Sequence, residues 1–207
     1  MPQPDHSLRT RLVRAGVELL DREGPDALTL REIARRAGVS HGAPRRHFPT
    51  HLALLAAIAR EGYRRLGREV AETVEHTDPD PRRQLLALGR LYLRFARTNH
   101  GMFALMFRHD LLRGNGIGLR DASEQLFGVL VDLIARARPD LAGTPGAPVV
   151  ASALWANLHG IAALWQWGSL QTMVRDDDVE PLLRAALAAH LGIAATPSPA
   201  DGRRTTC

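Results

Sequence analysis

The chain has 207 residues, 45% hydrophobic and 24% charged, the balance of a globular protein large enough for a helical core without metals or disulfides. Its only cysteine is Cys207, the last residue, which excludes an internal disulfide framework and fits a reducing, cytoplasmic compartment. No apolar run reaches the roughly 18 residues of a membrane-spanning helix, and the first fifteen residues, with Pro2, Pro4, Asp5 and three arginines, lack the apolar core of a secretory signal.

The charge is mild overall, 27 basic residues (all arginine) against 22 acidic ones. Locally it is lopsided: from Thr29 to Arg68, arginines 31, 35, 36, 45, 46, 60, 64, 65 and 68 stand against only Glu32 and Glu61. A basic block inside a folded region suits phosphate; on its own it also suits a solvated helix face.

In chain order, nearly everything has helical spacing and nothing has the alternation of a half-buried strand. Leu8, Leu12, Ala15, Leu19 and Leu20 share one face of a first helix, ended by Gly24-Pro25. Thr29 to Glu32 reads as a capping box, followed by Leu30, Ile33, Ala34 and Ala37, with Gly38 in place for a left-handed C-terminal turn. Ser40 reads as the next N-cap, with Val39 and Pro44 as a hydrophobic staple, and Phe48-Pro49 closes that short helix. Thr50 opens a long fourth helix with an apolar face at Leu52, Leu55, Ala59, Tyr63, Leu66, Val70 and Val74. Asp78-Pro79-Asp80-Pro81 breaks it, and a fifth helix carries Leu85, Leu88, Tyr92 and Phe95.

After Asn99-His100-Gly101 comes a short apolar run, 102–107. Glycine loops at 114–118 and 143–148 flank a helix over about 123–138. The next helix, about 149–173, is apolar nearly all round, so it should be buried on more than one side. Acids at 176–178 and Pro181 suit the start of a last helix with the stripe Leu182, Leu183, Ala186, Leu187 and Leu191. The tail, 195–207, is Pro/Ser/Gly/Arg-rich, with the composition of a disordered segment.

Two helices meeting at Gly38-Val39-Ser40, the second short with few apolar residues, have the anatomy of a helix-turn-helix. The second helix would lie in the major groove, where Gly42 and Ala43 permit close approach, and Arg45 and Arg46 reach phosphates or a guanine edge. The segment TLREIARRAGVSHGAPRRHF, 29–48, resembles the helix-turn-helix of TetR-family transcriptional regulators. Thr29, Ile33, Ala34, Ala37, Gly38, Val39, Ser40, Gly42, His47, Phe48 and Leu54 match the family pattern.

The resemblance implies an all-α, nine-helix homodimer: a DNA reader over 6–66 and an effector-binding and dimerisation domain over 67–194. It further implies contacts to double-stranded operator DNA from Thr29, Arg31, Ser40, His41, Gly42, Ala43, Arg45, Arg46, His47 and His51. Arg45 replaces the family's usual Tyr, Ala43-Pro44 its Thr-Leu pair, and His51 its Lys. Arg45 can take over the Tyr contact with a full charge. His51 is a weaker substitute, mostly neutral at pH 7.

In the C-terminal half, Trp155-Ala156-Asn157-Leu158-His159-Gly160 is similar to the W-x-x-x-H-G signature of one TetR subgroup, and 99–107 to a segment that precedes it there. Met102, Phe103, Met106, Phe107, Trp155 and Trp165 would line an apolar cavity for a small apolar effector. His159 would add a polar contact, or else sit in the core on a backbone carbonyl. Gly160 would let another helix pack closely. Leu154, Leu158, Ile161, Trp165, Leu183 and Leu187 would form a four-helix dimer interface.

No nucleotide-binding, hydrolase or zinc-ligand spacing occurs, so no catalytic residue, metal or cofactor is expected. A helical interaction scaffold, or an activator without an effector, stands as the alternative to a repressor.

Overall fold

The computed structural model describes residues 4–108, 119–141, 146–174 and 178–192. The loop at 114–118, the first part of the one at 143–148, Asp176-Asp177 and the tail lie outside them. Among the described residues there are ten α-helices, two short 3-10 turns and no strand.

Three helices build the N-terminal unit. α1 (Pro4–Glu23) buries Leu12, Ala15, Leu19 and Leu20, as its spacing predicts. α2 (Leu30–Arg36) starts at Thr29, whose hydroxyl oxygen accepts the Glu32 backbone N–H at 3.2 Å. The reciprocal half of the expected capping box is missing. The Thr29 N–H donates to the Ala27 carbonyl at 2.7 Å instead, and the Glu32 carboxylate turns forward and accepts from Arg35 Nε at 2.8 Å. Gly38 has φ 66°, the left-handed geometry that ends α2 and that a side chain resists. α3 (Ala43–His47) begins later than expected. Ser40 lies in the turn before it, its carbonyl accepting the Ala43 N–H, while Gly42 takes the cap position with no side-chain bond.

α4 (His51–His76) is capped by Thr50, which accepts the Ala53 N–H at 3.0 Å. Its 26 residues make about 39 Å of continuous helix. The first half packs on α1, where Ile58 fills the space over Gly16. The helix also packs on α5 (Pro81–Thr98), α6 (His100–Met106) and α7 (Leu119–Ala137). Residue 66, the expected domain boundary, therefore falls inside one helix. At Gly62 the contact with α6 is close: an added Cβ would stand 2.6 Å from both the Met102 and the Met106 sulfur.

The C-terminal bundle is completed by α8 (Gly146–Gln166), α9 (Ser169–Val174) and α10 (Glu180–Leu191). The single helix expected over 149–173 is thus two, broken at Trp167-Gly168. α8 is also not enclosed on several sides. Ala151, Leu154, Leu158, Ile161 and Ala162 are buried, while Val149, Ala153, Ala156 and Leu164 face outward. By length and composition α8 could span a bilayer, yet its buried face packs on α5, α7 and α10.

This overturns most of the expected dimer surface. Leu154, Leu158, Ile161, Leu183 and Leu187 are buried within one protomer, so they belong to its own core. Trp165 is half-buried beneath the Arg97 guanidinium, 5.5 Å from the ring centre. Gly160, expected to let a neighbouring helix pack closely, has nothing in this chain within 4 Å of an added Cβ.

Candidate nucleic-acid interface and ligand cavity

The short α3 buries little, only Pro44. Its position is fixed from outside, by α1. Arg9 donates to the His47 carbonyl at 3.1 Å and lies over the Phe48 ring, 4.5 Å from its centre. Arg11 donates to the Ala37 carbonyl at 2.6 Å, holding the end of α2. Arg36 pairs with Glu23 at 2.5 Å across the same junction. Sequence reasoning misses these braces, because contacts between residues 38 and 26 positions apart leave no local pattern.

Braced in this way, α3 and the turn before it present Ser40, His41, Gly42, Arg45 and Arg46 to solvent, with Ala43 and His47 half-buried beside them. Thr29 and Arg31 are exposed at the start of α2. Neither Arg45 nor Arg46 pairs with a carboxylate among the described residues, whereas Arg35 and Arg64 are each tied to a glutamate on their own helix. His51 points inward: its Nε2–H donates to the Leu28 carbonyl at 2.5 Å. That bond commits Nε2 to the backbone and leaves only Nδ1 for another partner.

The second feature is a cavity of about 280 Å³ between α4, α5, α7 and α8. Of the expected effector residues, Phe107 and Trp155 are on its wall. Met102, Phe103 and Met106 are not; they are buried, with both sulfurs packed over Gly62. Trp165 is elsewhere, under Arg97. Much of the wall comes instead from Tyr63, Leu66, Leu88, Tyr92, Phe127 and Leu130, residues whose helical spacing marks them only as ordinary core.

His159 lies next to this wall. Its Nδ1 shares a 2.8 Å hydrogen bond with the Tyr92 hydroxyl, whose oxygen also accepts the Trp155 Nε1–H at 3.2 Å. The partner is thus a side-chain hydroxyl and not a backbone carbonyl. The ring stacks on Phe103 at 5.3 Å, and burial lowers its pKa. Burial likewise raises the Tyr92 phenol and pushes Tyr63 up to about 12, so both are neutral donors.

Residues 12–58 match the family model described as bacterial regulatory proteins, tetR family, and residues 85–190 match that of the tetracyclin repressor-like C-terminal domain. The chain belongs to the TetR family of transcriptional regulators. As a TetR-family protein it is a DNA-binding regulator.

Solved structures resemble it along nearly their whole length. A protein of unknown function from Rhodococcus sp. RHA1 is 31% identical, with TM-score 0.76 over 94% of this chain and 100% of that one. A transcriptional regulator from the same strain is 25% identical, with TM-score 0.64 over 89% and 94%. A TetR-family transcriptional regulator from Bordetella parapertussis 12822 shares the fold at 17% identity, with TM-score 0.63 over 88% and 93%. The comparison with curated proteins returns no match.

Proposed function

We propose that this TetR-family chain is a cytoplasmic, homodimeric repressor that binds a palindromic operator and is released by a small apolar effector. The observation that carries the proposal is the continuity of α4. Its start lies directly after α3 and Phe48, and its later turns place Tyr63, Leu66 and Val70 on the cavity wall. A ligand that fits better when these side chains shift would tilt one rigid helix and with it the reading head. The release is then bounded by the ligand's differential affinity for the two states.

In this reading, residues 6–66 act as the DNA reader and 67–194 as the effector and dimer unit, with α4 common to both. Base and phosphate contacts come from the exposed face of α3, above all Arg45 and Arg46. The dimer forms through the outward faces of α8 and α10. Val149, Ala153, Ala156, Gly160 and Leu164 follow one another at helical spacing along α8, and Trp167, just past its end, is 74% exposed. Ala185 and Ala189 continue the small-residue surface on α10. Two heads on a two-fold axis read half-sites about 34–36 Å apart.

The test is selection of genomic DNA fragments by the purified protein. The proposal expects a single inverted-repeat sequence with half-sites one helical turn apart or a multiple of it. Enrichment of nothing would contradict it and favour an interaction scaffold.

A further inference from the structure

The cavity's chemistry narrows its ligand. Its 280 Å³ corresponds to roughly nine water-sized units at about 30 Å³ each. The wall is hydrocarbon and aromatic ring, and among the described residues none that lines it is arginine, lysine or histidine.

The polar atoms that do reach it are already engaged. The Tyr63 hydroxyl donates to the Met106 carbonyl at 2.9 Å. The Tyr92 hydroxyl is shared between His159 and Trp155. The Ser123 hydroxyl donates to the Arg120 carbonyl at 2.8 Å. Glu124, the one ionised side chain among the described lining residues, is exposed, and its carboxylate accepts from Arg120 Nε at 2.7 Å. His159, behind Tyr92, is held neutral by burial and adds no cation. A charged group brought inside would lose its hydration and meet no uncompensated opposite charge.

We infer that the effector of this cavity is an uncharged, hydrocarbon-rich molecule of about nine non-hydrogen atoms, and that ions of either sign with the same hydrocarbon are rejected. The inference rests on the effector reading above and adds the ligand's size and its discrimination against ions. A head of either sign drawn inside loses its hydration, and the Glu124–Arg120 ion pair, already neutralised within itself, compensates neither sign. A hydroxyl can stay in water at the mouth while its chain fills the space between Leu66, Leu88, Phe127 and Leu130.

The experiment is calorimetric titration of the full chain at pH 7 with three probes that differ only in the head group: 1-octanol, octanoate and octylammonium. Each is then added to the protein–operator complex, with release read by fluorescence anisotropy. The expected result is one octanol per protomer, bound at least about tenfold more tightly than either ion. Leu130→Trp, which fills part of the cavity, should abolish octanol binding while leaving a cooperative thermal unfolding transition.

An ion binding as tightly as octanol, octanol failing to bind up to its solubility limit, or unchanged octanol binding by the folded Leu130→Trp protein would each overturn the ligand class. Octanol that binds as expected without releasing DNA would leave the class standing and remove effector release. An ion that both binds more tightly and releases DNA would do the reverse.

Discussion

The hydrogen bonds at Tyr92 join the side chains of Tyr92, Trp155 and His159 through one oxygen, and the most pH-sensitive of the three is His159. Burial lowers its pKa, so the unfolded chain takes up a proton that the folded chain resists. The resulting stability is fully present above the unfolded pKa of about 6.5 and is lost as pH falls toward the lower folded value. The midpoint of thermal unfolding should therefore decline between about pH 7.5 and pH 5.5, and His159→Gln should flatten part of that decline. Equal slopes for the two proteins would show that His159 does not titrate across unfolding. At the same scale, the His51 Nε2 is committed to the Leu28 carbonyl, so the proposed reading assigns phosphate contact to Arg45 and Arg46 on α3.

The helices themselves are largely legible in the sequence, because their start and stop signals are local. Thr50 accepting the Ala53 amide and Asp80 accepting the Arg83 amide both sit at breaks readable from composition. The cap is worth measuring: Thr50→Ala should cost about 1 kcal/mol, read as a lower urea midpoint at unchanged slope, and an unchanged midpoint would mean that tertiary packing alone fixes the start of α4. What is not legible is equally physical. The apolar surround of 149–166 cannot say which face meets its own bundle, so spacing alone offers Leu154 and Leu158 to a partner when they are core. Tyr63 and Tyr92 sit in ordinary amphipathic stripes, and only the assembled bundle shows that a space opens beside them. The Arg9 brace on α3 joins residues 38 apart, beyond any periodicity.

For the whole molecule, one long helix joins the reading head to the cavity, and in the proposed reading two-headed DNA binding needs a second copy of the chain. Ala156→Glu puts a charge in the middle of the outward face of α8 without touching the protomer core. It should give a folded monomer in sedimentation, with operator affinity falling away together with the two-headed geometry; a dimer unaffected by this change would place the interface elsewhere. The central claim, that the exposed face of α3 reads DNA, is tested most directly by anisotropy on the selected operator across a salt series, with wild type beside Arg45→Ala/Arg46→Ala. The account predicts tight, steeply salt-dependent binding by wild type. In the variant, affinity should fall and the log–log salt slope should flatten by about 0.9 for each phosphate that is no longer neutralised. Affinity and slope both unchanged in a folded variant would contradict it.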